Sequence, residues 1–272
     1  MKRDILIAVI LAASLLCTGC GSDNKPKDET DLPSSNVKSE ANPDQQTIPE
    51  IPLVLSDDGT PVSSTAVIDN TQHLYEGAMV IANPNDIHCI VNRTYNLPSD
   101  YEPDDLVKVS VPFAQRQEDV KYMRKEASEA LSEMFQAASE EQGYALYGAS
   151  GYRSYAVQKT LFSNNIGKKG SVDLANATSA LPGQSEHQLG LVMDVTTEAM
   201  NYTLSESFYD TPEGKWLAEN CHRFGFIIRY PKEKVDITGY AYEPWHCRYV
   251  GKELAKELYE ADLTLEEYYG IV

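Results

Sequence analysis

From Gly21 to Glu50 the chain carries almost nothing apolar; Asp, Glu, Lys, Asn, Ser and Pro dominate. Such a stretch cannot bury enough surface to offset the entropy of ordering it. A compact fold must therefore be built from the residues C-terminal to it. Apolar residues return weakly from Ile51, and Asp57-Asp58-Gly59 reads as a turn. Residues 20–75 are read as a disordered tether. Residues 76–272 are read as one folded domain, its compact part beginning near Met79.

The N-terminus decides the compartment. Lys2 and Arg3 precede an apolar run of twelve residues, Ile5 to Leu16. That run is too short to span a bilayer comfortably and fits the apolar region of an export signal. Cys17-Thr18-Gly19-Cys20 and a polar Gly21-Ser22-Asp23-Asn24 come next. Small residues before a Cys at this place resemble a bacterial lipoprotein cleavage box. Residues 1–19 are then a signal peptide and Cys20 is the lipidated first residue of the mature chain. One position departs from the box: Cys17 stands where Leu is usual, and Leu16 sits one place too early. The expected location is the outer face of the bacterial cell membrane, held by the lipid alone.

A formal net charge of −18 argues against a nucleic-acid partner, which needs clustered Lys and Arg. Besides Cys20, the mature chain keeps Cys89, Cys221 and Cys247, an odd number that cannot pair fully. One disulfide and three free thiols both remain open readings.

Within the domain, Met79-Val80-Ile81 and Ile87 to Val91 are short apolar runs separated by the turn Asn83-Pro84-Asn85-Asp86. Ala127, Ala130, Leu131, Met134, Phe135 and Ala138 recur at helical spacing, predicting a helix over 121–142 that Gly143 ends. Further helices are expected over 156–165, 211–224 and 253–259, and strands over 144–149, 189–195, 226–230 and 245–250. Helices and short strands mix without regular βαβ alternation, so the class is α+β.

Two segments carry candidate chemistry: Ser185-Glu186-His187-Gln188-Leu189-Gly190-Leu191-Val192-Met193-Asp194 and Tyr242-Glu243-Pro244-Trp245-His246. Two His and one carboxylate make a normal catalytic zinc set that leaves a fourth position open. Glu243, three residues before His246, is placed to act as a general base without being a ligand. Spacing alone leaves a second reading open. His187 and Asp194 are seven residues apart, so a plain strand would point them to opposite faces. Either the backbone turns at Gly190, or His187 is a polar loop residue and Asp194 an ordinary strand-end acid. His222 reads as structural, and His73 and His88 have no identifiable carboxylate partner.

The linked motifs resemble the VanY-type D-alanyl-D-alanine carboxypeptidases and their L,D-carboxypeptidase relatives. Ser-x-His-x-x-Gly-x-x-x-Asp and Glu-Pro-Trp-His carry the resemblance, with Ser150-Gly151-Tyr152-Arg153-Ser154 and Gln158 upstream. Phe226 to Pro231, Thr238-Gly239, and the stretch from Val91-Asn92-Arg93 through Leu106-Val107 extend it over roughly 80 to 252. Val192 stands where Ala is common. The resemblance implies His187, Asp194 and His246 as zinc ligands and Glu243 as the catalytic acid/base. It implies Arg153 as the group that binds the substrate's terminal carboxylate. Gln158 and Ser185 would supply hydrogen bonds to substrate. The implied fold is the small zinc peptidase fold shared with the Hedgehog signalling domain, with helices around an antiparallel sheet.

The implied activity is a zinc metallo-carboxypeptidase, not a serine enzyme, acting on peptidoglycan stem peptides as a monomer. D,D-cleavage of stems ending in D-Ala-D-Ala comes first, and L,D-cleavage of tetrapeptide stems is the alternative. A third reading is an inactive cell-wall peptide-binding module. Its sequence signature would be loss of Glu243 or of a ligand, and all four residues are present.

Overall fold

The computed structural model describes residues 77–115 and 117–271. The export segment, Cys20, the tether and His73 lie outside the described residues. At the centre is a four-stranded antiparallel sheet. It comprises β5 (Tyr147–Ser150), β6 (Val192–Thr196), β7 (Phe226–Tyr230) and β8 (Glu243–Tyr249), in the spatial order β5-β6-β8-β7. Two small pairs precede it. β1 (Met79–Val80) runs parallel to β2 (Tyr95–Asn96), and β3 (Leu106–Lys108) runs antiparallel to β4 (Tyr122–Arg124). The α+β class and the antiparallel sheet among helices agree with the expectation from sequence.

One helix face builds much of the core. Helix α1 (Lys125–Gln142) buries Ala127, Ala130, Leu131, Met134, Phe135 and Ala138. They pack on Leu189, Leu191, Met193, Val195, Phe226, Cys247 and Tyr249 in and around the sheet. Every residue of β6 is buried, so this strand is covered on both faces, and Asp194 and Thr196 are polar groups held inside it. Burying a Leu-sized side chain here contributes about 1.5–3 kcal/mol.

Several boundaries differ from the sequence reading, each for a backbone hydrogen-bonding reason. The helix expected from 121 begins at Lys125, because Tyr122–Arg124 pair with Leu106–Lys108 as a strand. The strand expected over 189–195 begins at Val192, after a 3-10 turn at Glu186–Leu189. The helix expected over 211–224 ends at Asn220 as α4 (Pro212–Asn220), and Cys221–Phe224 tighten into a 3-10 turn. Helix α2 (Tyr155–Lys169) runs past 165 to a Gly170 cap. Among the described residues, Ile87 to Val91 form no regular strand.

Beyond α3 (Val172–Asn176) and α5 (Val235–Thr238), the chain ends in α6 (Lys252–Ala261) and α7 (Leu265–Tyr269). Helix α7 was not anticipated. Its signal was legible, since Thr264 and Glu267 form a reciprocal capping box. Cys89, Cys221 and Cys247 are free, which favours the reading of small apolar side chains. His88 does have a carboxylate neighbour, contrary to expectation: Asp86 Oδ1 lies 3.6 Å from its Nδ1 in an exposed turn.

Candidate metal centre

The register of the sheet brings the first two acid and imidazole groups together. Asp194 on β6 lies directly opposite His246 on β8. Directly opposed residues of an antiparallel pair share a face, so both side chains converge. His187 comes from the 3-10 turn before β6. Gly190 ends that turn at φ +68°, where a side chain is strained and its Cβ would also meet Leu106 at 2.8 Å. This turn cancels the odd spacing, and His187 and Asp194 meet on one side.

Hydrogen bonds select which imidazole nitrogens face inward. His187 Nδ1 lies 2.7 Å from the Gly151 carbonyl oxygen. A carbonyl only accepts, so the proton sits on Nδ1 and Nε2 keeps its lone pair. Gly151 itself is required, because a Cβ there would meet the Tyr122 carbonyl at 2.5 Å. On the other ring, His246 Nε2 faces Glu186 Oε2 at 3.3 Å, which leaves Nδ1 bare.

The two bare nitrogens flank one carboxylate. His187 Nε2 is 3.4 Å from Asp194 Oδ2, and His246 Nδ1 is 3.3 Å from Asp194 Oδ1. Donors at about 2.0–2.1 Å from a tetrahedral cation stand about 3.3 Å apart, and each bare nitrogen has one Asp194 oxygen at about that spacing. The three donor atoms all lie within 4.8 Å of one another, and all three residues are buried. Asp194 Oδ1 is buried and accepts no hydrogen bond. A buried carboxylate oxygen without a donor is costly unless a cation satisfies it.

The titration behaviour agrees. Burial, with Arg153 adding to it, drives the His187 pKa down to about 3, so the ring is neutral and able to ligate. Burial also opposes charge on His246, but Asp194 and Glu186 outweigh it and raise that ring to about 9. Three carboxylates around one imidazole thus favour a positive charge at this point, as a proton or as a metal ion.

Glu186 is the residue that sequence reasoning passed over. It is wholly buried, and its Oε1 accepts from Arg229 Nε at 2.8 Å and Arg248 Nη1 at 2.7 Å. Burial opposes its charge, yet the two guanidinium groups hold its carboxyl far below the usual range. A signal existed: Arg229 interrupts the otherwise apolar strand Phe226–Tyr230, and a charge buried in a strand demands a partner.

The other candidate residues share one cleft of about 390 Å³ with the three donors: Arg153, Gln158, Ser185 and Glu243 all line it. Arg153 Nη1 donates to Gln158 Oε1 at 2.8 Å, and Gln158 Nε2 donates to the Ala180 carbonyl at 2.6 Å. Gln158 is 1% exposed, with both ends of its amide engaged. Glu243 Oε2 lies 3.5 Å from His246 Nδ1, and its side chain keeps 29% exposure to the cleft. Burial, with Asp194 and Glu186 nearby, pushes its carboxyl up to about 7 against the pull of His246 and Arg153. Lipidation at Cys20 falls outside the described residues.

Residues 120–252 match the sequence profile of VanY, described as D-alanyl-D-alanine carboxypeptidase. The chain is 50% identical over 195 residues to the putative carboxypeptidase YodJ of Bacillus subtilis, covering 71% of each chain. It is similar to the solved structure of the LdcB LD-carboxypeptidase, with a TM-score of 0.69 and 49% identity over 72% of this chain and 91% of that one. A vancomycin-resistance D,D-pentapeptidase VanY variant in complex with Zn(II) matches with a TM-score of 0.54 and 34% identity, over 67% of this chain and 98% of that one. The same fold, carrying His187, Asp194 and His246 beside Arg153 and Glu243, places the chain in the VanY family of D-alanyl-D-alanine carboxypeptidases.

Proposed function

We propose that the protein is a zinc-dependent carboxypeptidase that removes the terminal D-Ala from peptidoglycan stem peptides, with tetrapeptide stems as its substrate. The carrying observation is the convergence of two bare imidazole nitrogens and a donor-less carboxylate oxygen beside a cleft that holds Arg153. A D,D-activity came first from sequence. The likeness to the LdcB LD-carboxypeptidase is the greater in identity and TM-score, and it supports the L,D reading.

His187, Asp194 and His246 would hold the metal. Zinc, when bound, supplies a Lewis acid and makes water a nucleophile near neutral pH. The rest of the chemistry belongs to this chain. Arg153 binds the terminal carboxylate, because its planar fork donates to both oxygens and stays charged. Gln158 keeps that fork aimed, holding Nη1 from one side while tied to Ala180. Ser185 offers a hydroxyl from the wall of the cleft. Glu243 takes the proton of the attacking water at its carboxylate and returns it to the leaving amine. Tyr240, Tyr242 and Trp245 wall the cleft and limit access of bulk water.

His246→Ala is expected to reduce bound zinc from about one per chain to near none, and to abolish turnover with it. Atomic absorption on the purified variant checks this, and an unchanged zinc stoichiometry would remove His246 from the ligand set. The lipid-tethered location rests on Lys2, Arg3, the Ile5–Leu16 run and Cys20. It places the cleft on the wall side of the membrane, where stem peptides are.

The decisive assay incubates the purified protein with tetrapeptide and pentapeptide muropeptides, with and without a chelator, read by mass spectrometry. Release of D-Ala from the tetrapeptide, abolished by chelator, is expected. Release from the pentapeptide alone would restore the D,D reading. Binding without any release would make the protein a wall-peptide binder.

A further inference from the structure

The buried charges behind His246 do not end at Glu186. Arg229 spends its whole fork: Nε on Glu186, and Nη1 and Nη2 on the two oxygens of Glu266. Glu266 belongs to α7, and Asn92 Nδ2 also donates to it, at 3.1 Å. Asn92 is fixed in turn, because its Oδ1 accepts from the backbone N–H groups of Thr94 and Tyr95. Arg248 completes the set, with Nη2 on the Ile87 and Cys89 carbonyls and Nε on that of Tyr249. Arg229, Arg248, Glu186 and Glu266 are each 2% exposed or less, and their four charges cancel. Asn92 and Glu266 both lie outside the residues that match the family profile.

We propose that Glu266 is a positioning residue for the metal centre, acting through Arg229 and Glu186 on His246, so that helix α7 is part of the zinc site. The inference rests on the metal reading above. Glu186 can present Oε2 to His246 Nε2 only while Oε1 is held by the two guanidinium groups. Arg229 directs just one nitrogen at Glu186 because Glu266 occupies the other two. Without the Glu266 charge, Arg229 has one carboxylate left and turns its fork onto both Glu186 oxygens. The acceptor for His246 Nε2–H is then lost, and with it the arrangement that keeps Nδ1 bare and correctly aimed.

Glu266→Gln in the full chain keeps the size of the side chain and removes its charge. Zinc affinity, measured by competition with a chromophoric chelator, is expected to fall about ten- to a hundredfold with all three ligands present. The visible absorption of the cobalt-substituted protein should shift as well, since it reports ligand geometry and not fold stability. Arg229→Lys keeps the buried charge but cannot bridge two carboxylates, and the same loss is expected. It covers the case in which Glu266→Gln fails to fold. Wild-type affinity and an unshifted cobalt spectrum in either folded variant, whatever happens to thermal stability, would overturn the relay and leave a purely structural clamp. A wild-type chain that takes up no zinc would instead overturn the metal reading and the relay together.

Discussion

Replacing Glu243 by alanine leaves the zinc content unchanged and lowers turnover by about 10²–10⁴-fold, the usual contribution of a positioned general acid/base. The two outcomes separate because Glu243 lies beside the ligand set without belonging to it. Its Oε2 is 3.5 Å from His246 Nδ1, while the donors that meet one another are His187, Asp194 and His246. Its partial exposure faces the cleft, where a substrate amide and a water must meet. Burial raises its carboxyl to about 7 in the metal-free protein, and a cation at the neighbouring donors draws that value lower. The base is the carboxylate, so turnover should fall as pH drops through this group's pKa, and that limb of the profile should vanish in the variant. Zinc content, the rate constant and its pH profile are the measurements. A variant that keeps wild-type turnover would end the assignment.

The largest effect on stability is expected at Glu186. Removing this carboxylate by Glu186→Ala leaves two buried guanidinium groups with one acid between them, at a cost of about 3–5 kcal/mol. For a domain of this size that is on the order of 10 °C in Tm. The melt should be read on metal-free protein, so that weakened zinc binding does not add to the difference. The group's folded pKa is depressed, so its contribution is complete above the ordinary carboxyl range near neutrality. It declines progressively as pH falls from the ordinary carboxyl range, where the unfolded chain takes up the proton, toward the depressed folded pKa. The gap between wild type and variant should therefore be full at pH 7 and narrow steadily as pH falls below the ordinary carboxyl range. A Tm within a degree of wild type at pH 7 would mean that Arg229 and Arg248 find other partners.

Much of the site was readable because its parts are short and local. His187, Asp194, Glu243 and His246 sit in two motifs, each ten residues or fewer. Helix α1 announced itself through apolar side chains at helical spacing, and Gly143 marked its end. The errors came where a local preference met a distant partner. Lys121 to Arg124 carry no strong bias against helix, but the N–H and C=O groups of Tyr122–Arg124 are taken by Leu106–Lys108. Gln158 lines the cleft as expected, and the structure adds that its amide is also held by Arg153 and by Ala180.

The short linked motifs along the chain named the candidate groups, through their resemblance to a known family, because each candidate lies in a segment recognisable from its immediate neighbours. Whether those groups meet was a matter of strand register and of one left-handed turn at Gly190, which spacing alone left open. The charges that hold His246 in place were decided entirely by the fold. Arg229, Arg248 and Glu266 stand 43, 62 and 37 residues from the partners they pair with. A salt bridge across such separations leaves no period in the sequence. Only packing that excludes water turns four scattered charges into one neutral cluster behind His246.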